Sequence, residues 1–156
     1  MISDRLIGGS GTDFGVPSVP AAAEGAPLPA AELERLDGLL GAAWAAFDRT
    51  AAAAAGRALR TGPRGGGRSM AAMVTHVLEA DGAYLVRIGG SARGLSGPGA
   101  MAEVRERLRA TLAERARGVP LPDNPRRSGT TWSPRYCIRR SAWHALDHAW
   151  EIEDRL

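Results

Sequence analysis

Residues Arg139 to Arg155 contain no glycine, no proline and a single β-branched side chain. Such a stretch predicts one uninterrupted helix. Two of the chain's three histidines, His144 and His148, sit in it four residues apart. At about 100° per residue they differ by about 40°, so they stack on one face a turn apart. Two imidazoles in that arrangement can grip one metal ion. The rest of the chain makes most sense as a helical bundle built around that face.

On a helical wheel, Cys137, Arg140, Glu151 and Arg155 share the side of the two histidines. Tyr136, Trp143 and Trp150 form one flank, and Ile138, Ala145, Ala149 and Ile152 the other. Arg139, Leu146 and Glu153 lie opposite. If both apolar flanks face the bundle, the histidine stripe between them points inward. An ordinary amphipathic helix carries apolar residues there.

Glycine and proline divide the remainder. Residues 1–29 are rich in Gly, Pro, Ser and Ala with no period, which predicts an irregular lead-in packed in part through Leu6, Ile7 and Phe14. From Ala30, Leu33, Leu36, Leu40, Trp44 and Phe47 recur at three- and four-residue steps and predict a helix fading after Ala51–Ala55. A loop at 61–67 only superficially resembles a phosphate-binding loop, because the spacing and the Gly-Lys-Ser/Thr end are missing. A second helix is expected from Arg68 or Ser69 to Ile88, with Met70, Val74, Val77, Leu78, Leu85 and Ile88 as its apolar side and His76 at the margin. The third begins at Pro98, carries Met101, Val104, Leu108 and Leu112, and stops at Gly118. Ser133 and Pro134 suit the N-cap and first turn of the last helix. Four helices and no convincing strand predict an all-α four-helix bundle over residues 30–156.

A chain of 156 residues fits one domain with a real core. Every basic residue is Arg, yet the formal charge is only +3, a weak nucleic-acid signal. Cys137 is the lone cysteine, so neither an internal disulfide nor a Cys-based zinc site is possible. The reading is a cytoplasmic protein without signal peptide or membrane span.

His76 is the only histidine left to complete a site. Ala72, Ala80 and Ala83 on its helix leave room beside the imidazole. Three His ligands with one open position form the pattern of a catalytic metal site. The motif is not His-Glu-x-x-His, since Ala145 occupies the Glu position, so a zinc-protease reading has no support. The plainer alternative stays open at this point: His76 as a boundary residue and His144/His148 as a chance spacing. Glu79, a turn from His76, and Glu151 or Asp147 are candidates to orient ligands or shuttle protons, against a plain role as exposed helix charge. Cys137 is two turns from His144 and reads as a buried, inert thiol.

Trp143-His144 with His148 on the last helix, and His76 within Thr75-His76-Val77-Leu78-Glu79 on the second, resemble the DinB-like (DinB/YfiT) superfamily. The resemblance covers about Ala30 to Leu156. It implies an up-down-down-up four-helix bundle holding a divalent metal, zinc or nickel, on His76, His144 and His148. It also implies transfer or isomerisation with a low-molecular-weight thiol such as mycothiol, a small-molecule substrate and a homodimer. Arg126, Arg127, Arg135, Arg139 and Arg140 crowd the entrance to the last helix, where cations oppose the helix dipole. Arg140 is the candidate to meet the carboxylates of such a thiol cofactor; a solvated basic surface is the bland alternative. A competing function is a non-catalytic stress or binding module that uses this Arg-rich surface for an acidic partner. No helix-turn-helix or zinc-finger signature supports sequence-specific nucleic-acid binding.

Overall fold

A computed structural model describes residues 5–62, 67–121 and 130–156, the side chain of Phe14 aside. Four helices carry the fold: α1 (Ala30–Ala53), α2 (Met70–Arg87), α3 (Ala100–Ala116) and α4 (Pro134–Arg155). Among the described residues there is no strand, and the all-α four-helix bundle expected from the periodicity is what forms. No helix among them is long and apolar enough to cross a membrane.

The helix starts follow local chemistry. Ser69 Oγ accepts from the Ala72 N–H at 3.3 Å, and Ser133 Oγ accepts from the Tyr136 N–H at 3.3 Å with Pro134 in the first turn. Each cap satisfies one of the donors a helix start leaves free. α3 starts two residues later than Pro98 suggested, because Gly99 in the left-handed region (φ 85°) makes the turn into it.

α1 packs most extensively on α4, and α2 packs on both α3 and α4. Paired side chains show the directions. Glu32 with Arg135, Trp44 with Ser141 and Thr50 with Glu153 rise together, so α1 and α4 run the same way. Asp37 with Arg109 and Asp48 with Arg105 run in opposite order, so α3 opposes α1. Asp81 with Ser141 and His76 with His144 likewise set α2 against α4. The connection after α2 returns along α3, where the Ser91 and Arg93 carbonyls accept from Arg107 Nη1 at 3.0 and 2.9 Å.

The core is made of Leu40, Trp44 and Phe47 from α1, Met73, Val77 and Leu85 from α2, Val104, Leu108 and Leu112 from α3, and Ile138, Ala145, Ala149 and Ile152 from α4. Three sequence expectations fail. Val74, assigned to the apolar side of α2, is exposed, while Met73 is fully buried. The inward face of α2 runs Met73–Val77–Asp81–Tyr84–Leu85, and the carboxylate in its middle hid the stripe from a purely apolar count. Trp150, on a flank expected to face the bundle, is 57% exposed because α4 turns its Ala/Ile flank and its histidines inward. Leu6 and Ile7 are exposed rather than packed.

The lead-in is instead tied down further along. Leu28 is buried in the core. Tyr136 donates its hydroxyl hydrogen to the Ser18 carbonyl at 2.8 Å. Arg139 makes a bidentate pair with Glu24 (2.6 and 2.8 Å) and reaches the Val19 carbonyl at 3.2 Å. Arg135 pairs with both oxygens of Glu32 and donates to the Pro27 carbonyl at 2.8 Å. Two of the arginines at the entrance to α4 therefore fasten residues 17–32 across it. Arg126 and Arg127 lie outside the described residues.

Candidate metal centre

α2 and α4 run antiparallel, and this brings His76 opposite His144 and His148. The His144 Nε2 lies 3.2 Å from His76 Nε2 and 3.1 Å from His148 Nε2. One ligand atom from each of the three histidines can be chosen so that all lie within 4.8 Å of one another. His144 and His148 are buried, and His76 is half-buried at the open side.

The carboxylate of Glu151 sets the tautomer of one ring. Its Oε2 lies 2.9 Å from His148 Nδ1, so that nitrogen carries the hydrogen and donates it. With the hydrogen on Nδ1, Nε2 is the His148 atom that can turn a lone pair to the centre. This is the carboxylate–histidine arrangement that orients metal ligands. The other oxygen, Oε1, accepts from Arg155 Nη1 at 2.9 Å. Arg155 is held in turn by the carbonyls of Arg60 (2.8 Å) and Arg68 (3.0 Å), in the connection between α1 and α2. Gly67 sits against this guanidinium at φ 140°, and a Cβ there would collide with it. A chain of contacts thus runs from that connection through Arg155 and Glu151 to His148.

Electrostatics favour the neutral form of His144 and His76. Burial pushes His144 down to about 3, assisted by the positive charge of His148, His76, Arg140 and Arg68. Burial and then Arg68 and His148 lower His76, against the pull of Glu79 and Glu151. Neutral imidazoles offer lone pairs at physiological pH.

The donor set fits a metal ion. Ligands at about 2.0–2.1 Å in a tetrahedral arrangement place nitrogens roughly 3.3–3.4 Å apart, close to the two separations observed. His144 Nδ1 is buried with no hydrogen-bond partner among the described residues, whether or not an ion sits at Nε2. On the Nε2 side, a single His144 hydrogen can serve only one of the two facing nitrogens. Neutral His144 has one ring hydrogen. On Nε2 it leaves Nδ1 an orphaned acceptor, and on Nδ1 it leaves an orphaned donor. Such a group costs about 1–3 kcal/mol. A cation bound through Nε2 takes the tautomer choice out of the centre.

The other sequence candidates are sorted by position. Glu151 orients His148 from the far side of the ring. Glu79 is exposed and meets none of the three rings; it acts on His76 through charge alone. Asp147 is half-buried and makes no hydrogen bond to a histidine. Cys137 is fully buried, its thiol pushed far up by burial and by Asp81, with Sγ 4.0 Å from the Tyr84 carbonyl. It is an inert core thiol. Arg140 lies beside the centre, its guanidinium over the rings of Trp143 (5.0 Å) and Tyr84 (5.6 Å). The Tyr84 ring stands edge-on to His144 at 5.8 Å.

Sequence reasoning missed a buried polar network behind the site. Ser141 donates to Asp81 Oδ1 at 2.8 Å and accepts from Trp44 Nε1 at 3.2 Å. Arg105 lies 3.7 Å from Asp81 Oδ2 and grips both oxygens of Asp48 at 2.9 and 2.7 Å. Burial raises Asp81 to about 6, with the Ser141 hydrogen bond and the Arg105 charge opposing. All four helices contribute, so the network holds α2 and α4 in the register that aligns the histidines. A lone acid in the apolar stripe of α2 was its one available signal.

The fold and its centre define a class: a four-helix bundle with an inward three-histidine cluster shared by its second and fourth helices. Comparison with protein-family models, with curated proteins and with solved structures finds no match.

Proposed function

We propose that the protein is a metal-dependent enzyme acting on a small molecule, with a divalent ion held by His76, His144 and His148. The observation that carries this reading is the convergence of three imidazole nitrogens, one ring oriented by Glu151 and one, His76, only half-buried. A divalent ion bound there supplies Lewis acidity, which turns a thiol or water into a nucleophile at neutral pH. Three protein ligands leave a position for a substrate atom. Glu151 keeps the His148 ring and its lone pair aimed at the centre. Burial favours unprotonated His144 and His76. The resemblance to DinB-like bundles supports thiol-dependent transfer or isomerisation over hydrolysis, with mycothiol or a similar thiol as co-substrate, zinc or nickel as the ion, a homodimer as the assembly and the cytoplasm as the location.

The Arg-surface reading loses two of its residues, since Arg135 and Arg139 are engaged by Glu32 and Glu24. Elemental analysis of protein purified without added metal tests the proposal. About one zinc or nickel per chain is expected, falling to background in His144→Ala. Absence of stoichiometric metal in the wild type, or undiminished metal in the variant, overturns it.

A further inference from the structure

Arg140 stands out among the arginines of the bundle. Arg105, Arg135, Arg139 and Arg155 each face a carboxylate, from Asp48, Glu32, Glu24 and Glu151. Arg140 faces none among the described residues. Its Nε and Nη1 are buried and make no hydrogen bond. Its Nη2 reaches the Tyr84 hydroxyl at 3.4 Å, and the guanidinium also acts on the Tyr136 hydroxyl. The residue itself is half-buried, so a small ligand can approach it. Two aromatic rings, Tyr84 and Trp143, hold the guanidinium in place.

Its position sharpens the point. Arg140 lies one turn before His144 on the same face of α4. It therefore puts a positive charge, met by Asp147 only through space, beside a centre suited to a dication. Taken alone, that charge weakens cation binding, and its two free N–H groups cost desolvation. An anion lying between Arg140 and the centre relieves both. Of the oxyanions, a flat carboxylate matches the fork of a guanidinium with two parallel hydrogen bonds.

We propose that Arg140 is the receptor for the carboxylate of a small molecule whose other end sits at the three-histidine centre. This rests on the reading of that centre as a metal site, and it names the substrate class: compact carboxylic acids with a second, metal-seeking group a few bonds away.

Cobalt(II)-loaded full-length protein provides the test. Thiolate binding to cobalt produces a charge-transfer band in the near ultraviolet. Mercaptoacetate, 3-mercaptopropionate and 4-mercaptobutyrate are titrated against the neutral alcohols of equal length. At the best-matched length the acid is expected to bind about 10- to 100-fold more tightly than its alcohol, as befits a hydrogen-bonded charge pair. Arg140→Gln should abolish that preference and leave cobalt content and alcohol affinity unchanged. Arg140→Lys should restore part of it. Equal affinities of acid and alcohol at every length, no thiol binding in either series, or a preference that survives Arg140→Gln overturns the subsite alone. Failure to take up stoichiometric cobalt overturns the metal-site reading itself, and the subsite with it.

Discussion

Replacing Glu151 with Gln tests whether the centre is organised by its surroundings as well as by its ligands. In the wild type, one carboxylate oxygen accepts from His148 Nδ1 and the other from Arg155 Nη1, both at 2.9 Å. Glutamine has one acceptor and one donor group in the same places. Its oxygen can serve His148 or Arg155 but not both, and the negative charge is gone. If it turns to Arg155, its amide donates toward His148 and favours the tautomer with the hydrogen on Nε2, aimed into the centre. If it turns to His148, the amide hydrogens face the Arg155 guanidinium. Either way a hydrogen bond to a charged group is lost, at about 1.5–3 kcal/mol. Losing such an orienting partner typically costs 10- to 100-fold in metal affinity, or about 1.4–2.7 kcal/mol. Competition with a chromophoric chelator at fixed pH measures zinc affinity directly, and urea denaturation of metal-free protein measures the stability loss. Arg155→Met should weaken zinc less, since it leaves the carboxylate on His148. Zinc affinity in Glu151→Gln within twofold of wild type, in a folded protein that still needs His144, would refute the reasoning.

Two further outcomes concern the scaffold. Asp81, fully buried, ionises at about 6 in the folded protein against an ordinary 3.8, so the folded state keeps its proton longer than the unfolded chain. Its contribution is therefore most favourable below about pH 4 and is lost as pH rises toward 6, a displacement equivalent to about 3 kcal/mol. The stability difference between wild type and Asp81→Asn, from urea melts in EDTA, should shift against the wild type by that order between pH 4 and 7.5; a difference independent of pH refutes it. The double variant Arg135→Gln, Arg139→Gln should free the lead-in with little effect on global stability, since each pair is partly exposed. Proteinase K should then cut between residues 17 and 28 well before it cuts the wild type, and equal resistance would show that other contacts hold the segment.

Much of the architecture was legible in the chain. Apolar residues at three- and four-residue steps marked α1, α2 and α3, the lack of glycine and proline marked α4, and Ser133-Pro134 marked where α4 begins. These signals are local, because a helix's buried face and its cap depend on neighbours within a few residues. The His144/His148 pair was legible for the same reason: one turn of helix fixes their relation. Glu151 could be placed on their face, but a wheel does not say whether a carboxylate touches a ring or solvent.

What the chain by itself determined is the set of helices and the two-histidine face with which the reading began. Tertiary structure alone decided that His76, 68 residues from His144, lies against it. It also decided that Asp81 and Arg105 are buried partners rather than surface charge, that Trp150 faces outward, and that Arg139 clamps Glu24 while Arg140 is left without a carboxylate. The physical reason is common to all of these. Periodicity reports which residues share a face of one helix. The fate of a charge or an imidazole depends on what the facing helix presents, and that is set by the direction and register in which distant segments pack.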